Sequence, residues 1–294
     1  MRLALGTVQF GLDYGIANTR GKTPRDEVMH ILELAKHEGI AVLDTAALYG
    51  SSEEVLGDCL PTSHGFRIVT KTAQFRKTQI TPEDARHLRN AFTDSLQKLG
   101  QHRIYGLLVH HADDLLAEGG EYLMDTMLEL KAAGKVAKVG VSVYDGAQID
   151  HLLDRYTIDL VQVPVSVFDQ RLLAAGKLAA LKNMGVEIHA RSLFLQGLLL
   201  MPLERIADYF APIKQHIRNY QAYLQEKQIS LLQGALAFAS ACKEIDEAVV
   251  GVSSAAELRG ILDAWYGLPQ EPLDFSGFAC NDECMINPAL WQQS

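Results

Sequence analysis

Four polar residues stand where apolar runs of strand length end. Asp44 closes Val42-Leu43-Asp44, and Tyr49 follows five residues on in Leu48-Tyr49-Gly50-Ser51. Lys71 ends Ile68-Val69-Thr70-Lys71, and His110 ends the run from Ile104. A carboxylate, a phenol, an ammonium and an imidazole in one place can hold and move a proton. Alone, a buried Asp, Lys or His is expensive in an apolar strand, whereas together they compensate one another's charge. Each also has a plain structural reading: Asp44 as cap of a helix at Ser51–Leu60, Lys71 as the solvated end of an edge strand, Tyr49 as a rim residue, His110 as a satisfied structural histidine. Three consecutive strands supplying Asp, Lys and His around one Tyr favour the joint, functional reading. His111 must then point to the other side of its strand, because side chains alternate.

The elements that must position them are strands and helices in alternation. Eight apolar runs recur: Leu3–Thr7, Ile40–Asp44, Arg67–Lys71, Ile104–His110, Ala137–Ser142, Asp159–Val163, Val186–Arg191 and Glu247–Gly251. They are continuous rather than alternating, as in a parallel sheet covered on both faces. Between them run helical periods with explicit punctuation. Thr23-Pro24-Arg25-Asp26 and Thr81-Pro82-Glu83-Asp84 each read as an N-cap Thr, Pro at the first helical position and an acid soon after. Gly39, Gly100, Gly134 and Gly185 are the stops. About 55 residues separate the last two strands, enough for two helices, Ile206–Gln228 and Ser230–Ala241. A Pro-, Asp- and Gly-rich tail follows Trp265 and is expected to run extended.

An open doubly wound sheet would want a glycine-rich phosphate turn after an early strand, and no G-x-G-x-x-G occurs. Eight βαβ units instead close into a single (β/α)8 TIM barrel over residues 1–294, whose chemistry belongs at the C-terminal ends of the strands. The composition fits: 294 residues, 48% hydrophobic and 21% charged, can bury a large core. A formal charge of −9 repels polyanions and argues against nucleic acid or an anionic membrane surface as partner. No apolar run approaches a membrane span and no signal peptide is evident, so a cytosolic location is expected. Cys59, Cys242, Cys280 and Cys284 are too few and scattered for a disulfide framework, and no metal site is expected.

With the tetrad and its strands in place, the sequence resembles the aldo-keto reductase superfamily over nearly its full length. Leu43-Asp44-Thr45-Ala46 with Tyr49-Gly50-Ser51-Ser52-Glu53 matches that family's second-strand motif. The resemblance implies NAD(P)H binding without a Rossmann domain and Asp44, Tyr49, Lys71 and His110 as catalytic residues, acting on a small aldehyde or ketone. A phenol is a poor acid at neutral pH; Lys71 would lower its pKa, Asp44 would hold Lys71, and His110 would orient the carbonyl. The resemblance further places Gly6 and Thr7 under the nicotinamide, and Ser142 and Gln162 on its carboxamide, with Val143 where the family has Asn. Arg191, Ser192, Leu193 and Gly197 match the seventh-strand segment, Arg191 replacing an aromatic that stacks on the nicotinamide. Gly251, Ser253 and Ser254 match the pyrophosphate loop, where Val250 and Ile261 depart from the family's Pro and Asn.

Glu257 falls where NADPH-specific members carry a polar or basic residue, while Arg259 or Lys243 offer compensation, so NADPH and NADH both stay open. Pocket-shaping segments are expected at His111–Gly120, Leu193–Ile206 and Pro269–Ser294, with Phe10, Leu48, Tyr144 and Phe168 as candidate lining. The chain starts directly at the first strand, so the hairpin that plugs the bottom of many family barrels is expected to be missing or very short, and a monomer is the family's default. Two other functions stay open: a nicotinamide-binding regulator on the same barrel without turnover, and a barrel isomerase or lyase using Lys71 as a Schiff base.

Overall fold

Each expected strand forms within two residues of its predicted bounds. In the computed structural model, which describes residues 1–61 and 63–291, the strands are β1 (Arg2–Gly6), β2 (Val42–Asp44), β3 (Arg67–Lys71), β4 (Ile104–Val109), β5 (Val136–Ser142), β6 (Leu160–Pro164), β7 (Glu187–Arg191) and β8 (Glu247–Gly251). All pairings are parallel and sequential, and β8 pairs back to β1 to close the barrel. The longer helices outside it are α1 (Arg25–His37), α2 (Ser52–Cys59), α3 (Pro82–Lys98), α4 (Glu121–Ala132), α5 (Gly146–Leu153), α6 (Lys177–Asn183), α7 (Lys214–Glu226), α8 (Leu231–Ala241) and α9 (Ala255–Tyr266).

Helix α3 starts with the expected capping box, the Asp84 carboxylate accepting from the Thr81 amide at 3.0 Å. Helix α1 does not repeat it. Pro24 is the N-cap there, and the Thr23 hydroxyl is buried with no partner. The four predicted stops all have φ above +60°. The predicted helix Ile206–Gln228 is shorter than expected: 3-10 turns occupy Leu203–Arg205 and Asp208–Ile213, and α7 begins only at Lys214. Pro212 explains the break, since it offers no N–H and crowds the preceding turn. The tail is not simply extended either; short turns at Ser276–Phe278, Glu283–Ile286 and Pro288–Leu290 interrupt it, and residues 292–294 lie outside the described ones. The Cys280 amide donates to the Phe168 carbonyl at 2.8 Å, and His216 Nε2 donates to the Phe278 carbonyl at 2.8 Å, pinning the tail to the barrel flank.

Inside the barrel the residues are layered. Ala4, Val42, Val69, Leu108 and Leu160 form one small apolar cluster, separate from the larger core between strands and helices. Below it the barrel base is ionic. Glu247 pairs with Arg2 at 2.7 Å and Arg67 at 2.9 Å. Glu187 accepts from His189 Nε2 at 2.7 Å and Tyr105 Oη at 2.6 Å, and also pairs with Lys138.

Candidate active site

Strand alternation aims the site residues. Two residues above the apolar cluster stand Gly6, Asp44, Lys71, His110 and Gln162, all of the same parity and so all facing inward at the C-terminal mouth. Ser142 and Gln162 sit side by side in the β5–β6 register. Lys71, only 1% exposed, donates from Nζ to both Asp44 carboxylate oxygens at 2.8 Å, to the Thr45 carbonyl at 3.0 Å and to Tyr49 Oη at 3.4 Å. Gln162 Nε2 donates to Asp44 Oδ1 at 2.7 Å. The His110 ring meets the Tyr49 ring edge-on, with centroids 5.9 Å apart, and its Nδ1 is buried without a partner. The four residues expected to act together are thus brought together.

Tyr49 is placed by backbone contacts that the sequence reading passed over. A Cβ on Gly11 would stand 1.8 Å from the Tyr49 carbonyl oxygen, so only glycine lets the β1 and β2 loops touch there. Gly50, at φ +56°, is pressed in turn against the Gly11 carbonyl. Ser52 donates to the Thr7 carbonyl at 2.8 Å and shares hydrogen bonds with the Thr7 and Thr45 hydroxyls. Thr7, expected under a nicotinamide, spends its buried hydroxyl on this lattice and on the Asp44 carbonyl at 2.9 Å; it positions Asp44. His111 faces away, its Nδ1 3.3 Å from the buried Asp114 carboxylate.

Electrostatics differ from the expectation at one point. Burial, followed by the Asp44 charge, pushes the Tyr49 phenol above its ordinary value, and the cation that opposes them is Arg191 rather than Lys71. Lys71's own pKa is drawn down by burial against the pull of Asp44, with which it shares its charge. The phenol therefore stays protonated at neutral pH. Burial, then Lys71 and Arg191, lower the His110 pKa to about 3, so its imidazole is neutral.

The other predicted residues divide. The Arg191 guanidinium lies over the Tyr144 ring, 4.4 Å from its centroid, and donates to the Val143 carbonyl at 3.0 Å and Ser192 Oγ at 3.3 Å. Leu193 is buried in the outer core, as are Val143, Val250, Ile261, Phe10 and Phe168, so these side chains do not line the mouth. Leu48 is 45% exposed at the rim. A Cβ on Gly197 would stand 2.4 Å from Ala17 Cβ, and the Ala17 amide donates to the Gln196 carbonyl, latching the β1 and β7 loops. At the start of α9, Ser254 caps the Glu257 amide at 3.1 Å. The Ser253 amide donates to Glu257 Oε2 at 2.7 Å and the Ala255 amide to Glu27 Oε1 at 2.6 Å. Neither suggested compensator is available: Arg259 pairs with Glu38 at 2.9 Å, and Lys243 precedes β8 at the opposite end of the barrel. Glu27 and Gln9, whose side chain lies 2.8 Å from a Cβ on Gly251, were not singled out from sequence. Their roles depend on neighbours more than 200 residues away. Among the described residues no group of three or more His, Cys, Asp or Glu could hold a metal, and no helix is long and apolar enough to cross a membrane.

A closed parallel barrel with an Asp–Lys–Tyr–His cluster at its mouth defines the class. The chain belongs to the aldo/keto reductase family, whose model matches residues 2–274. Over 179 residues, 58% of this chain, it is 28% identical to the aldo-keto reductase YhdN of Bacillus subtilis, and the match spans about half, 52%, of that protein's length. An aldo-keto reductase from Bacillus halodurans, solved in its holo form, superposes with a TM-score of 0.74 at 18% identity, covering 99% of this chain and 94% of the other. A Bombyx mori aldo-keto reductase in complex with NADP gives 0.64 at 21% identity, covering 94% and 86%. These likenesses show the shared fold.

Proposed function

We propose that the protein is an NAD(P)H-dependent oxidoreductase that reduces an aldehyde or ketone to an alcohol. The observation that carries this reading is the Lys71 ammonium held between the Asp44 carboxylate and the Tyr49 phenol beside a neutral His110. The mouth suits a nicotinamide: Ser142 and Gln162 offer a hydroxyl and an amide side by side for its carboxamide. Bound NAD(P)H would supply a hydride to the carbonyl carbon and leave as NAD(P)⁺. Tyr49 gives its proton to the carbonyl oxygen as the C–O π bond breaks and the C–H and O–H bonds form. Lys71, within 3.4 Å of Oη, stabilises the phenolate left behind until solvent reprotonates it. His110, uncharged, orients the carbonyl oxygen by a hydrogen bond. In this reading the chain works as one barrel domain, a cytosolic monomer acting on a small carbonyl compound.

Fluorescence titration with NADH and NADPH, followed by turnover of Tyr49→Phe, tests it. Removing the proton donor should lower kcat by about 10²-fold or more while nucleotide binding persists. Undiminished turnover in Tyr49→Phe, or failure of both nucleotides to bind below millimolar concentration, overturns it. Binding without turnover in the unaltered protein would mark a nicotinamide-dependent regulator instead.

A further inference from the structure

Arg191 is a cation with no anion. Its two hydrogen bonds go to neutral acceptors, the Val143 carbonyl and Ser192 Oγ, and its face rests on the neutral Tyr144 ring. Among the described residues no carboxylate lies within 4.0 Å of it. Comparable half-buried cations elsewhere are paired: Arg67 with Glu247, Lys138 with Glu187 and Arg171 with Asp169. The nearest carboxylate chemistry in the mouth is already committed, since both Asp44 oxygens face Lys71. Beside the reacting groups stand two cations, Lys71 and Arg191, and one carboxylate, Asp44. The guanidinium charge reaches the reacting groups, for Arg191 opposes the rise of the Tyr49 pKa and helps to lower that of His110.

A half-buried charge is costly to leave unpaired, and a guanidinium carries five N–H donors in a planar fork suited to a carboxylate or phosphate. Stacking on Tyr144 and the bond to Val143 fix the plane of that fork beside Tyr49 and His110, so its position is set before any ligand arrives. We infer that Arg191 is a specificity-determining residue that recognises an anionic group on the substrate, so that this protein acts on carbonyl compounds bearing a carboxylate near the reacting carbon. The inference rests on the reductase reading, because it takes the carbonyl oxygen to lie between Tyr49 and His110.

The test compares matched substrates. With the unaltered protein, kcat/KM for 4-oxobutanoate should exceed that for butanal, and Arg191→Met should reduce that ratio by about 10- to 100-fold, the worth of a charged hydrogen bond, with Arg191→Lys restoring part of it. Glyceraldehyde 3-phosphate against glyceraldehyde distinguishes a phosphate from a carboxylate: a larger ratio for that pair overturns the carboxylate assignment. NADH and NADPH dissociation constants, measured without any carbonyl compound, decide whether the anion belongs to the cofactor. If Arg191→Met weakens nucleotide binding and leaves the substrate ratio where it was, the inference is overturned. Calorimetric binding of succinate to the unaltered protein, lost in Arg191→Met, supports the inference even if no carbonyl compound is reduced, and the reductase reading alone then fails. If succinate does not bind and the charged and neutral substrates are reduced equally, Arg191 recognises no substrate anion.

Discussion

His110 differs from most histidines near a proton-transfer centre in being held neutral by its surroundings. Burial comes first and the Lys71 and Arg191 charges follow, bringing its pKa to about 3 from the usual 6.5. Between those two values an unfolded chain binds a proton that the folded one does not, so this residue costs stability as pH falls below about 6.5 and costs nothing above it. Its imidazole should show no NMR titration from pH 8 to pH 4.5, and kcat/KM should carry no acid limb near 6.5. A titrating ring in that range would contradict the burial argument. The tetrad was legible in sequence because Asp44, Lys71 and His110 end consecutive apolar runs. What stayed hidden at this scale was the sign of the Tyr49 shift, which depends on depth: burial and Asp44 push it up, whereas residue types alone pointed to Lys71 pulling it down. That the side chains of Leu193, Val143 and Ile261 are buried in the core was hidden for a related reason, because a family motif gives position along the chain but not which side of a strand or helix faces the core.

Loops rather than strands set Tyr49 against Lys71 and His110. Gly11 and Gly50 bring the β1 and β2 loops into backbone contact behind Tyr49, leaving no space for a Cβ on Gly11. Gly11→Ala must displace that contact, and a 1 Å error in a reacting group costs on the order of 10²-fold in rate. We expect kcat to fall by about that amount with the circular dichroism spectrum and nucleotide affinity retained; unchanged kcat would show that Tyr49 is positioned otherwise. The start of α9 calls for a second test. Glu257 and Glu27 already occupy the amides of Ser253 and Ala255, with the His30 ring 4.0 Å from Glu27; in the proposed reductase a 2′-phosphate at this helix start would meet two carboxylates. Glu257→Gln and Glu27→Gln should each strengthen NADPH binding relative to NADH by roughly threefold, read from paired dissociation constants. Equal effects on both nucleotides would place the adenosine phosphate elsewhere. Neither arrangement was readable from sequence. Glu27 reaches α9 only because the barrel closes β8 onto β1, and Gly11 resembles any loop glycine until the second loop is seen against it.

Across the whole molecule, the barrel itself was the most legible feature: continuous apolar runs of five or so residues, alternating with helical segments, leave few alternatives. The interruption of Ile206–Gln228 was foreseeable from Pro212, which the periodicity alone concealed. At the base, burial pushes the Glu187 carboxyl up, yet hydrogen bonds from His189, Lys138 and Tyr105 hold it well below the usual carboxylate range. A lowered folded pKa stabilises the protein above the unfolded value of about 4.3, and that contribution is lost as pH falls through it toward the folded value. Glu187→Gln should therefore lower stability at pH 7 by about 3 kcal/mol, and the deficit relative to the unaltered protein should shrink between pH 5 and pH 3 in denaturant titrations. A deficit independent of pH would assign the loss to packing alone.

Charged groups thus occupy both ends of the barrel lumen, with the apolar cluster of Ala4, Val42, Val69, Leu108 and Leu160, and Tyr105 and Val249 packed against it, between them. Across this apolar stratum it is distance that sets the two networks apart: the charges that chiefly shift Tyr49, Lys71 and His110 are those of Asp44, Lys71 and Arg191 at the mouth itself. Substitutions below the stratum are expected to move stability while leaving the pKa values at the mouth in place, and substitutions above it to do the reverse.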